Sequence, residues 1–206
     1  MYLKLLLVNI LILVLSACQS DKQEQDEAAL NAPFANVFQS LDGRWEGVFY
    51  VYEDTLGQRA EPALVQTTEL NKSLLESLPL KVNHSIEVVH IYESDSPYYQ
   101  RGKIIDTYTE ESGNIVTIES EAVNKVENGR LYCIVEKPDD YVVHHGSLDS
   151  ENFIIWQRNI ESPLKVEYFK EKAEGDTYSI IGWGYYGEDD PSLSPKTWFY
   201  GEYQRE

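Results

Sequence analysis

Glu93 and Arg101 are the two side chains of this sequence best suited to act together on a small molecule. A carboxyl can give or take a proton, and a guanidinium fork grips an acidic group through two parallel hydrogen bonds. In that pairing Glu93 is the catalytic candidate and Arg101 the anion anchor, with Tyr92 and Tyr98 beside them as apolar walls. Side chains two apart on a strand share a face, so Trp156 and Arg158 form a second candidate set. The same alternation puts Tyr99, Arg101, Lys103 and Ile105 on one face, and Tyr168 and Trp183 complete the expected aromatic lining. Each charged member of these sets competes with a plain solvent-side ion pair. That bland reading also covers Glu119 and Glu121, whose spacing suits paired carboxylates.

The remaining reactive residues are sparse. His144 and His145 are adjacent on a strand-like run and must point to opposite faces, so they cannot share a metal ion, and one of them can face an interior. His84 and His90 share a face but stand roughly 20 Å apart at about 3.3 Å per residue. No metal site is expected. The sequence has no CxxC, no HExxH and no phosphate-binding glycine loop. Cys133 sits in an apolar run, Leu131 to Val135, and reads as a small buried hydrophobe.

What positions these residues is a succession of short Val-, Ile-, Thr-, Tyr- and Trp-rich runs. They fall near residues 44–53, 63–70, 82–93, 97–109, 114–124, 130–137, 140–147, 152–159, 163–171 and 176–186, with an eleventh near 196–204. Turn-like separators such as Glu127-Asn128-Gly129 and Glu174-Gly175-Asp176 make consecutive strands antiparallel hairpins. Phe34, Val37, Phe38 and Leu41 follow helical spacing after Pro33 and predict a short helix plugging one end. A second short helix is predicted between Asn71, in N-cap position, and Pro79. Antiparallel strands without long crossovers leave a sandwich or a closed barrel. With 15 Tyr and 4 Trp, more than a small solid core needs, an up-and-down barrel with a lined interior is the expectation. Gly43-Arg44-Trp45 opens the first strand as in calycin and lipocalin-like barrels, and Arg205 is placed to stack on the Trp45 indole and close the floor.

The first 17 residues carry a single charge, Lys4, ahead of a nearly unbroken apolar run from Leu5 to Leu15. They read as a secretory signal, too short to span a bilayer comfortably. Leu15-Ser16-Ala17-Cys18 resembles the bacterial lipobox, which implies that Cys18 becomes the lipid-bearing first residue of an outer-membrane lipoprotein, on its periplasmic side or at the cell surface. With Cys18 so used, Cys133 has no disulfide partner. The polar, acidic stretch 18–32 is then a disordered tether, and 33–206 the barrel domain. A formal net charge of −18 argues against nucleic acid and against anionic membrane surfaces as partners, leaving the lipid as the membrane contact.

Across roughly residues 40–205 the chain resembles the CpcT/CpeT family of chromophore lyases. Ile91-Tyr92-Glu93 with Pro97-Tyr98-Tyr99-Gln100-Arg101, and Gly184-Tyr185-Tyr186-Gly187-Glu188-Asp189 with Trp198 and Gly201-Glu202-Tyr203, are similar to that family's elements. Ser94 and Tyr99 depart from its pattern. The resemblance implies a calycin-like barrel, a linear tetrapyrrole as ligand, with haem as the related alternative, and a bilin lyase-type activity with Glu93 as acid. The residues themselves imply less: an all-β barrel with one or two short helices enclosing a small amphipathic ligand. The rival expectation is a solid barrel that binds a protein partner.

Overall fold

The computed structural model describes residues 26–60, 70–138, 140–149 and 153–206. The signal segment, Cys18 and the first part of the tether lie outside these residues, as does the strand expected at 63–70 apart from Leu70. Ten antiparallel strands form a closed up-and-down barrel: β1 (Gly43–Asp54), β2 (Leu80–Ser96), β3 (Tyr99–Thr109), β4 (Ile115–Glu127), β5 (Arg130–Lys137), β6 (Asp140–Leu148), β7 (Ile154–Glu161), β8 (Leu164–Glu174), β9 (Thr177–Tyr186) and β10 (Thr197–Arg205). Each strand pairs with the next in sequence, and β10 closes on β1 from Trp45↔Arg205 to Glu53↔Thr197. Closure leaves no unpaired edge. Tight hairpins set the register. Between β4 and β5, Asn128 (φ 52°) and Gly129 (φ 70°) both adopt the left-handed region that a two-residue turn demands.

The end of the barrel at Trp45 is plugged. Trp45 is fully buried, its indole N–H donates to the Leu41 carbonyl at 2.6 Å, and the Arg205 guanidinium lies 4.0 Å from its ring centroid. Arg205 also donates to the carbonyls of Asp42 and Ser40. The segment below the barrel is not the expected continuous helix. It consists of two 3-10 turns, Ala32–Phe34 and Gln39–Leu41, because Ala35 is extended and Asn36 turns left-handed (φ 62°), its amide bonding the Pro97 carbonyl at 2.8 Å. The periodicity nonetheless marked burial correctly: Phe38 stacks on Trp156 at 6.2 Å and Leu41 is buried. Residues 26–31 are helical. The Asn31 side chain accepts from the Gly129 amide at 2.8 Å, so the tether's domain end is docked on the β4–β5 turn rather than free.

The helix Lys72–Ser77 forms as expected, with the Asn71 side chain accepting from the Leu74 amide at 3.0 Å. It lies on the outside of the barrel. Leu70 and Leu75 pack there against Ile181, Trp183, Tyr185 and Trp198, and Tyr168 stacks on Trp183 with centroids 5.2 Å apart.

Candidate functional site

Strand parity decides what faces the interior. Phe49, Ile86, Val88, His90, Tyr92, Ile104, Asp106, Cys133, Val142, Trp156, Phe169 and Tyr178 all border one cavity inside the barrel. Its volume is about 340 Å³, at the lower end of the roughly 300–1,000 Å³ of small-molecule sites. Apolar side chains from β2 to β6, chiefly Ile86, Val88, Ile104, Val135 and Val142, make its walls. Charged groups gather at the end opposite Trp45, where Lys137 and Asp140 face each other across the β5–β6 hairpin and Arg158, Lys165 and Glu167 complete the rim.

Glu167 organises this rim. It accepts from the Tyr186 hydroxyl at 2.8 Å, and its carboxyl lies 3.4 Å from His144 Nε2 and 3.7 Å from Arg158. Burial alone would push its pKa up, but the His144 and Tyr186 contacts and the Arg158 charge outweigh it and hold the carboxyl below its ordinary value. Arg158 reaches Asp140 as well, at 4.0 Å. Asp106 is shifted upward by burial, with Lys137 pulling the other way.

Deeper in, Glu171 is enclosed and accepts from Trp156 Nε1 at 2.6 Å and from the Tyr178 hydroxyl at 2.5 Å. Burial raises its pKa against the pull of those two bonds. His90 is buried among Tyr92, Tyr178 and Tyr203, with Nδ1 3.2 Å from the Tyr92 hydroxyl, and burial lowers its pKa to about 3. It is a neutral imidazole at physiological pH. Cys133 borders the cavity, and burial pushes its thiol pKa up, which keeps it un-ionised and poorly nucleophilic.

The expected site residues divide between the two faces of the barrel wall. Tyr92, Trp156 and Arg158 line the cavity. Tyr98 packs against the floor cluster, below the cavity. Glu93 and Arg101 lie outside: their side chains are 77% and 59% exposed, and Arg101 is held by Asp95 at 2.6 Å with Glu93 at 3.6 Å. The geometry therefore gives them the solvent-side ion pair and not the interior acid and anchor. Tyr168 and Trp183 also point outward, into the cluster beneath the helix Lys72–Ser77. Glu119 pairs with Lys103 on the outer face at 2.5 Å. His144 faces inward, His145 packs outward against Tyr132, and His84 is exposed. Among the described residues no group of His, Cys, Asp and Glu is arranged to hold a metal ion. The interior residues missed by sequence reasoning include Glu171, Glu167, Asp106, Asn124 and Ser120. They lie on β3, β4 and β8, and the signal that could have found them is the hairpin register that pairs Tyr92 with Gly102, Gly102 with Ala122 and Trp156 with Phe169.

No family model matches the chain, and no curated protein does. Among solved structures, a redesigned beta barrel aligns over 84% of this chain and 96% of that one, at 11% identity and a TM-score of 0.36. The strand pairing described above establishes the barrel independently of that likeness.

Proposed function

We propose that this chain is an envelope lipoprotein whose calycin-like barrel encloses a small amphipathic molecule, with Cys18 as its lipid anchor at the outer membrane. One observation carries the enclosure. His90 Nε2, Ser120 Oγ and Asn124 Oδ1 are buried without a hydrogen-bond partner in the protein, and all three side chains border the same cavity. An unpaired buried polar atom costs about 1–3 kcal/mol, so three of them around one space make it receptive to a molecule with polar groups of its own. The walls between them are apolar, which suits an amphipathic occupant. Enclosure needs no catalysis. The resemblance to chromophore lyases makes a linear tetrapyrrole, or haem, one candidate ligand, of which a cavity of about 340 Å³ encloses only part. Its acidic groups would meet Arg158, Lys137 and Lys165 at the rim in place of Arg101.

The test is a fluorescence titration with the neutral apolar probe N-phenyl-1-naphthylamine, followed by competition with a linear bilin and with haem. One probe bound per chain is expected, with energy transfer from Trp156, and Val142→Trp should abolish it by filling the cavity. Glu93→Gln and Arg101→Ala should bind like the parent protein, since both side chains are outside. If neither the probe, the bilin nor haem binds, the enclosure is wrong. The anchor has its own check: Cys18→Ala should remove all incorporation of labelled palmitate in cells, and label that persists would overturn it.

A further inference from the structure

Glu171 is a carboxyl sunk in the barrel whose two hydrogen-bond donors are neutral, with His144 near enough to favour its charged form. It is 6% exposed, and its two oxygens each accept one bond, from Trp156 and Tyr178. Cations on its own and neighbouring strands are engaged elsewhere: Lys170 with Asp149 at 3.1 Å, Lys172 with Glu174 at 3.8 Å, Arg158 with Glu167 at 3.7 Å. Among the described residues no Lys or Arg forms an ion pair with it. A carboxylate oxygen has room for a second hydrogen bond, so Glu171 keeps accepting capacity beside the cavity it borders.

Asn124 adds a second acceptor, and the protein dictates its orientation. The Phe38 carbonyl can only accept, so the Gln100 amide nitrogen must face it, at 2.8 Å. That leaves Gln100 Oε1 to accept, and Asn124 turns its own nitrogen to it at 2.9 Å. Asn124 Oδ1 is therefore the atom left over, without a partner and on a side chain that is 3% exposed and borders the cavity. Ser120 Oγ, on a residue 2% exposed, is unpartnered on the same strand. Aromatic rings of Trp156, Tyr178 and Tyr92 complete this part of the lining, and their faces favour cations.

Building on the enclosure reading above, we propose that the barrel selects amphipathic amines, lodging a protonated amino group against Glu171 in a lining that also carries unpartnered acceptors at Asn124 Oδ1 and Ser120 Oγ. An ammonium carries three donors and no acceptor, which matches a lining with surplus acceptors. A carboxylate of similar size would meet Glu171 with repulsion, and an alcohol would leave its charge uncompensated. The apolar body of the ligand then lies along Ile104, Val135 and Val142. The strongly negative chain draws cationic molecules toward it from solution. The cavity volume corresponds to roughly eleven waters at about 30 Å³ each, enough for a six-carbon amine.

The experiment is calorimetric titration of the full chain in lipid nanodiscs with hexylamine, hexanol and hexanoate, empty nanodiscs serving as blank. Charge-assisted hydrogen bonds should make hexylamine bind about 10- to 100-fold tighter than hexanol, with hexanoate weakest. Glu171→Gln keeps size and one acceptor and should erase most of that advantage. The wild-type series stands by itself where the variant does not fold. Equal affinity for amine and alcohol, or a preference for hexanoate, overturns the amine proposal. The naphthylamine probe separates the two readings: if it binds while hexylamine has no advantage, the enclosure survives and the amine selectivity falls; if neither binds, both fall.

Discussion

Lowering the pH from 6.5 toward 3 should strip this barrel of about 4–5 kcal/mol of stability through His90 alone. The unfolded chain takes up a proton on this imidazole at its ordinary pKa of 6.5, whereas burial lowers the folded value to about 3. Across that window the unfolded state binds the extra proton and the folded state does not. Stability is therefore whole above pH 6.5 and is lost progressively as pH falls. Among the described residues no acid sits at hydrogen-bond distance to compensate: the contacts are the Tyr92 hydroxyl and the rings of Tyr92, Tyr178 and Tyr203. Glu171 and Asp106 act in the opposite sense. Their raised folded pKa values mean the folded state holds those protons more tightly, so their contribution favours the fold at low pH and is lost as pH rises through the carboxylate range. Urea denaturation at pH 7, 5.5 and 4 measures the sum. The wild type should lose stability steeply, and His90→Gln, which still accepts from Tyr92, should lose much less. A His90→Gln variant that loses as much stability between pH 7 and pH 4 as the wild type would falsify the assignment.

Trp45→Ala should cost about 3–5 kcal/mol, the range for deleting a buried large aromatic. Three losses coincide at this position. A cavity opens beside Tyr178, whose ring centroid lies 5.6 Å from that of Trp45. The buried Leu41 carbonyl loses its 2.6 Å donor. Arg205 loses the ring face it covers and keeps its carbonyl contacts with the turn segment and its 3.8 Å ion pair with Asp176. Trp45→Phe, which restores most of the ring but not the N–H, should recover more than half of the loss. In a double-mutant cycle Trp45 and Arg205 should couple by about 0.5–2 kcal/mol. Loss of less than 1 kcal/mol in Trp45→Ala would mean that the floor is held by the turn segment and not by the indole.

What the sequence determined by itself is local and periodic. Apolar alternation, hairpin turns such as Asn128-Gly129, and the Asn71 cap each depend on a few neighbouring residues, and each appears where the spacing put it. The Trp45–Arg205 stack was legible for a related reason: the first and last strands of an up-and-down barrel must meet. Alternation also grouped Trp156 with Arg158, and Arg101 with Lys103, on common faces. Period two fixes which residues share a face but not which face is inside. Both faces here carry large aromatics, so composition could not break the tie, and Glu93, Arg101, Tyr168 and Trp183 were placed inward although the closed barrel turns them outward. That choice falls to tertiary structure: the β1–β10 closure, the turn segment beneath Trp45 and the helix over Trp183 assign each face its cover. The buried polar set of Glu171, His90 and Asn124 was hidden for the converse reason. Charged and amide side chains are ordinarily read as solvent-facing, because only partners supplied by distant strands, such as Trp156 and Tyr178 for Glu171 or Gln100 for Asn124, offset the cost of burying them.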